Sequence, residues 1–252
     1  MSKYKARILQ AVDMRGTVSV IELSRMFGVS DQTIRRVAQP LVESGDISKV
    51  HGALVSNRMP TDPPFLDRMN LNRDAKVAIA RAAAALIGDN TSVAIDTGST
   101  SGFVAQALRA CKGLTVVTNS AFVASTLAII PGNKVSMAGT QLRDHDGAAF
   151  DRSAFEVIER MRVDYVILSA SMVDPEAGFL VHEQCEVDIA HAMMKNAKRA
   201  IMAVDHSKFE PQERRPALRQ PELKPGDIVI TDKAPPPDFA GLLDGLDLRT
   251  AR

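Results

Sequence analysis

The chain has 252 residues, 31 Lys and Arg against 30 Asp and Glu, and a formal net charge of +1, enough length for one large domain or two ordinary ones. With no Trp and only two Tyr it lacks the aromatic surface on which single-stranded nucleic acid stacks. No signal segment opens it and no apolar run reaches membrane-spanning length, so a cytoplasmic protein without a membrane partner is expected. Charge is uneven along the chain: residues 1–58 carry nine Lys/Arg against five acids, and the remainder 22 against 25. A basic end on a mildly acidic body points to a polyanion bound at the N-terminus.

"KYKARILQAVDMRG" places Tyr4, Ile8, Leu9 and Val12 on one helical face and stops at Gly16. In "SVIELSRMFG", Ser19 and Glu22 have capping-box spacing, Leu23 and Met26 or Phe27 face inward, and Gly28 closes the helix. "VSDQTIRRVAQPLVESG" offers Ser30 as N-cap, an apolar face of Ile34, Val37, Leu41 and Val42, and Gly45 as stop. Pro40 is expected to kink or end this third helix. "DISKVHGALVS" reads as a small hairpin around His51 and Gly52. Three helices and a hairpin within 57 residues describe a winged helix-turn-helix domain whose partner is double-stranded operator DNA. The third helix enters the major groove, with Ser30 at its head and Gln32, Thr33, Arg35 and Arg36 facing bases and phosphates. Lys49 and His51 on the wing reach the backbone or minor groove. A solvated helix face is the alternative for Arg35 and Arg36, and a turn-shaping role the alternative for His51.

Residues 58–73, rich in Pro and Asn, read as a linker, and a second domain is expected over 74–252. After the Ala-rich helix "AKVAIARAAAALIG", strand-like runs ("TSVAID", "LTVVTN", "KVSMAG", "VDYVILSAS", "KRAIMAV", "DIVIT") alternate with helical segments. The apolar runs are continuous and short, as in a parallel sheet covered on both faces, so this is an α/β domain. The Pro-rich tail from Ala234 is expected to add only a short helix or an exposed end. Cys111 and Cys185 have neither metal spacing nor a disulfide framework and read as inert buried thiols; no metal or cofactor is expected. In "VAIDTGSTSGFVAQAL" a strand stops at an acid, crosses hydroxyls and a glycine, and becomes a helix. Such a loop suits a phosphate, though Ser and Thr also cap helices without any ligand.

Over nearly its full length the chain resembles the DeoR/GlpR family of bacterial transcriptional regulators. The resemblance rests on "VSDQTIRR" and "KVHGAL" in the first domain and on "DTGSTS", "VTNS", "AGTQLR" and "DHSKF", in that order, in the second. It implies a sugar-phosphate sensor domain similar in fold to ribose-phosphate isomerases, and a repressor of carbohydrate genes. Carried over, it implies that Asp96, Thr97, Gly98, Ser99, Thr100 and Ser101 bind a phosphorylated sugar effector, with Asn119 and Ser120 beside them. Gly139, Thr140 and Arg143 line a third loop, while Lys208, with Asp205, adds positive charge to the phosphate. The placement agrees with the general position of ligands at the carboxyl ends of strands. Where the family has a Gly-Ala-Asp-Gly loop, this chain has "SASMVD", which implies an effector different from the common ones, or one held through Asp174, His182 or Glu183 instead, with helix capping as the alternative for His182 and Glu183. Two other functions stand beside the sensor: a sugar-phosphate isomerase-like enzyme, ranked low because its base-bearing loop is altered, and a domain serving only oligomerisation. A homodimer or tetramer is expected from the symmetry of operator half-sites.

Overall fold

The computed structural model describes residues 3–15, 17–50, 52–56, 65–211 and 216–251. The chain divides into two compact units, Met1–Pro64 and Phe65–Arg252. No helix among the described residues is long and apolar enough to cross a membrane.

The first unit contains α1 (Lys3–Arg15), β1 (Thr17–Ser19), α2 (Val20–Phe27), α3 (Asp31–Glu43), β2 (Ile47–Val50) and β3 (Ala53–Ser56). Its core gathers one apolar stripe per helix: Ile8 and Val12, Leu23, then Ile34, Ala38 and Leu41, closed by Ile47 and Leu54. Ser19 starts α2 with a capping box: its Oγ accepts the Glu22 N–H at 3.1 Å, and the Glu22 carboxylate accepts the Ser19 N–H at 3.0 Å. Gly28 ends α2 at φ 64°, a left-handed turn that leads within two residues to the cap of α3. Phe27 is the inward residue and Met26 is exposed. The hairpin of β2 and β3 gains a third strand, β1, giving the antiparallel order β1-β3-β2. Of the two outcomes expected at Pro40, an end to the helix is not observed: α3 runs on to Glu43. Pro40 is exposed, so the Arg36 carbonyl that loses its N–H partner lies on the solvent side, where water can bond it.

The second unit opens with α4 (Phe65–Asn70) and α5 (Arg73–Ile87), so the expected linker is shorter at its second half: residues 65–70 are helical. A six-residue helix is weak alone. It forms here because Phe65 is buried against Phe122, ring centroids 5.1 Å apart, and because the buried Lys76 ammonium bonds the Arg68 and Leu71 carbonyls at 2.6 and 2.8 Å. Residues 58–64 of that linker lie outside the described residues, as do residue 57 and Gly16.

Then follow β4 (Ser92–Ile95), α6 (Ser99–Leu108), β5 (Thr115–Thr118), α7 (Ala121–Ala128), β6 (Lys134–Met137), α8 (Arg152–Ile158), β7 (Val163–Leu168), β8 (Met172–Asp174) and β9 (Gly178–Val181). The chain closes with α9 (Gln184–Lys195), β10 (Ala197–Ala203), a 3-10 turn (His206–Phe209), β11 (Leu218–Arg219), β12 (Ile228–Thr231), a second 3-10 turn (Pro237–Phe239), α10 (Ala240–Leu243) and β13 (Asp247–Thr250). Seven strands pair in parallel in the order β13-β12-β10-β7-β4-β5-β6. Successive residues point to opposite faces. Ile95, Ile167 and Ile201 pack under α5, α6 and α7, whereas Ala94, Leu168 and Met202 meet α8 and α9. Two elements were not foreseen. The tail supplies β13, an edge strand that survives through its pairing with β12, and β8, β9 and β11 form a small antiparallel sheet.

Strand order reverses at β4: β5 and β6 extend to one side, β7 and β10 to the other. The loops leaving β4 and β7 therefore part, which is where open α/β sheets take ligands.

Candidate functional site

On the first unit, helical spacing puts Gln32, Arg35 and Arg36 on the exposed side of α3, opposite the buried Ile34, Ala38 and Leu41. Neither Arg35 nor Arg36 makes an ion pair among the described residues, and Lys49 on β2 is exposed. Ser30 and Thr33 are engaged with each other: Ser30 Oγ accepts the Thr33 N–H at 3.3 Å and lies 3.0 Å from Thr33 Oγ1. Both hydroxyls thus serve the start of α3. His51 lies outside the described residues.

On the second unit, the strand-loop-helix "IDTGSTS" builds the floor of the candidate site. Asp96 follows β4 at the reversal point; its Oδ2 accepts the Ser169 N–H from the end of β7 at 3.0 Å, and the Ser101 hydroxyl shares a short hydrogen bond with Oδ1. Burial pushes the Asp96 carboxyl up to about 8, against the lowering effect of those two bonds, and the Glu186 charge pushes the same way. Gly98, packed against the Ser169 hydroxyl, has φ 145°, a backbone conformation that favours glycine and strains any other residue. Ser99, Thr100 and Ser101 form the first turn of α6, whose unbonded N–H groups and dipole face the same side.

Asn119 and Ser120 stand beside this floor at the end of β5, both fully buried. Asn119 Nδ2 donates to the Ala149 carbonyl at 3.2 Å, and Ser120 Oγ caps α7 by accepting the Val123 N–H at 3.4 Å. Thr140 is held away from the floor by Asp151, whose Oδ2 takes the N–H groups of Thr140 and Gln141 at 2.8 and 2.7 Å. These bonds, with one from Ser153, keep the Asp151 carboxyl far below its usual range. Gly139, at φ 97°, turns the chain tightly over Ala149.

Arg143 is not an open cation. It pairs with Asp146 at 2.5 Å, Glu183 at 2.9 Å and Glu186 at 3.2 Å, and it lies 4.3 Å over the Phe150 ring. Glu183 is thereby tied both to Arg143 and, through its N–H to Glu186 at 3.3 Å, to the start of α9. Asp174, the other substitute carboxylate, has a turn to hold: its Oδ1 accepts the Glu176 and Ala177 N–H groups at 3.0 and 2.6 Å in the β8–β9 hairpin. That turn accounts for the residue without a ligand.

Asp205 and Lys208 lie past β10. Asp205 is completely buried, and its Oδ1 accepts from Asn72 at 3.0 Å and from the Ser207 hydroxyl at 2.6 Å. Lys208 is half-buried and makes no ion pair among the described residues. Three residues were missed in the sequence: Asn72, Arg68 and Gln220, whose Nε2 donates to the Ser169 carbonyl at 2.7 Å. None carries a motif; only strand order brings them here.

Five buried oxygens at or beside the carboxyl ends of the strands have no hydrogen-bond partner: Thr97 Oγ1, Asn119 Oδ1, Asp205 Oδ2, Gln220 Oε1 and Thr231 Oγ1. Buried polar atoms are paired in all but a few cases, so a row of orphans along one edge marks a place where something else supplies the partner. Two of them, on Asn119 and Gln220, are amide oxygens and can act only as acceptors.

The DeoR-like helix-turn-helix domain matches residues 5–59 and the DeoR C-terminal sensor domain matches residues 71–233. The chain is 34% identical to the glycerol-3-phosphate regulon repressor of Escherichia coli (strain K12), over 91% of this chain and 90% of that protein. It is 27% identical to the L-fucose operon activator of Haemophilus influenzae, over 96% of each. Among solved structures, ribose 5 phosphate isomerase A from Neisseria gonorrhoeae is similar at a TM-score of 0.39 and 18% identity, over 53% of this chain and 52% of that one.

Proposed function

This chain belongs to the DeoR family of transcriptional regulators, and from that premise we propose that it is a repressor of carbohydrate genes whose operator affinity is set by a phosphorylated sugar at the β4–β7 reversal. The observation that carries the effector reading is the row of orphaned oxygens. Amide oxygens such as Asn119 Oδ1 and Gln220 Oε1 call for donors, and the hydroxyls of a sugar are donors. The N–H groups opening α6 are donors themselves and suit the phosphate.

In this reading Gln32, Arg35, Arg36 and Lys49 contact DNA, Ser30 and Thr33 hold α3 in shape for them, and a symmetric oligomer presents two such helices to paired half-sites. Asp96, Gly98 and Ser99–Ser101 form the phosphate end, and Asn119 and Asp205 the hydroxyl side. Gly139, Thr140, Arg143 and Glu183 act as the wall, and Lys208 stands at the rim. The effector acts only as far as it binds one arrangement of the protein better than another. An isomerase reading needs a carboxylate poised as a base. Glu183 and Glu186 are both paired with Arg143, which favours sensing over catalysis.

Thermal unfolding of the full chain against sugar phosphates and their parent sugars tests this. A phosphate ester that raises the Tm while its parent sugar does not, and that also changes retention on operator DNA, is the expected result. Equal shifts by ester and parent would remove the phosphate from the reading.

A further inference from the structure

The pocket proposed above needs a cation for its anionic group, and the residue that best meets the need is none of those its motifs supply. Arg143 is already matched by three carboxylates. Lys208 stands past β10, two strands from β4. By contrast α4 lies across the first turn of α6: the Phe65 and Phe122 rings both close on Gly102, where an added Cβ would come within 3.3 Å of either. The Phe65 N–H is fastened to the His145 carbonyl at 3.1 Å. Arg68 comes one turn after Phe65 and so projects from the same side of α4. Its side chain is half-buried, and its charge reaches Asp96 and works against the effect of burial there. Lys76, itself buried, bonds the Arg68 carbonyl and so fixes the backbone from which that side chain departs. Beside Asp96, in register on the next strand, is the buried Asn119 with its unpartnered Oδ1.

We propose that Arg68 is the residue that receives the phosphate of the effector, closing it against the N–H groups at the start of α6, with Lys76 as its positioning residue. A guanidinium presents two parallel donors to a phosphate, which an ammonium does not. Since α4 opens the second unit at Phe65, a phosphate held by Arg68 acts at the first turn after the chain leaves the DNA-binding unit. The inference rests on the phosphate reading of the pocket, so its test separates the two.

Binding of inorganic phosphate and of glycerol 3-phosphate to the full chain is measured by calorimetry for wild type, Arg68→Gln and Arg68→Lys, with glycerol as the uncharged control. In parallel the Asp96 carboxyl is titrated by carbon NMR without ligand. Arg68→Gln is expected to lose tenfold or more in affinity for both phosphate probes and to raise the Asp96 titration midpoint. Arg68→Lys is expected to lose severalfold and to leave that midpoint near wild type; it also decides the matter should Arg68→Gln fail to fold. Phosphate binding unchanged in the variants, or an Asp96 midpoint unmoved in Arg68→Gln, overturns the role of Arg68 and leaves the pocket standing. A wild type that takes up neither probe overturns pocket and Arg68 together.

Discussion

The two units of this chain assemble their working surfaces in opposite ways. In the first, the candidate DNA face is local: Gln32, Arg35 and Arg36 lie within five residues, and the helix that displays them is begun by Ser30 and Thr33 at its own head. In the second, the pocket is drawn from distant parts of the chain. Asp96 bonds Ser169, 73 residues later, and Asn72 bonds Asp205, 133 residues later. A local surface tolerates change anywhere but in its own helix, whereas a pocket made of strand ends depends on every loop that lets the strands close up. That difference can be broken from either side.

The largest effect is expected at Gly139. Its φ of 97° excludes an ordinary side chain, and an added Cβ would overlap the fully buried Ala149 methyl. Gly139→Ala combines backbone strain with core overpacking and is expected to cost about 3 kcal/mol or more. Denaturant unfolding followed by a probe in each unit checks it: the second unit should lose the stability and the first keep its midpoint. Equal loss in both would mean that the units do not fold as separate bodies.

Next comes Arg35→Ala, expected to weaken operator binding by about 1–3 kcal/mol and, where the contact is to phosphate, to reduce the salt slope by about one. Effector-induced thermal shifts should be untouched. A parallel loss of effector response would contradict the separation of the two surfaces.

The third effect is one of pH. Asp96 titrates at about 8 when folded against 3.8 as its ordinary value, so the folded state holds a proton that the unfolded state has released. Stability from this group is complete below pH 4 and falls as pH rises toward 8, by at most about 1.4 kcal/mol per unit. Asp96→Asn, which cannot titrate, should flatten the dependence of unfolding free energy between pH 5 and 8. Proton release should also weaken phosphate binding above pH 8, since it adds a negative charge beside the anion. A wild-type curve already flat over that range would place the Asp96 titration elsewhere.

What was legible in the sequence follows the same division. Helix periodicity and caps located α2, α3 and the exposed arginines, because each signal is complete within a few residues. The six apolar runs located six of the parallel strands, and the loop residues after them were readable as strand ends. The order of the strands was not, and with it went Ser169 as the partner of Asp96, Gln220 behind Ser169, and Glu183 and Glu186 as partners of Arg143. Helix α4 and strand β13 were missed for one reason: both are short, and each is held by a remote partner, Phe122 and β12, instead of by its own pattern.

The smallest expected effect bears most directly on the local side of the comparison. Ser30 can be read as a DNA contact or as the cap of α3, and the structure gives its Oγ to the Thr33 N–H at 3.3 Å. If the cap is its main work, Ser30→Ala should lower the stability of the first unit by about 1 kcal/mol, while Ser30→Asp, which caps equally well, should keep that stability. The two variants then part on DNA. A cap that only holds the helix leaves the alanine variant binding well once folded, whereas aspartate sets a negative charge next to a phosphate and should cost affinity at low salt in particular. An alanine variant with full stability but weakened binding would make Ser30 a contact first and a cap second, and the recognition face would then extend one residue beyond the helix that carries it.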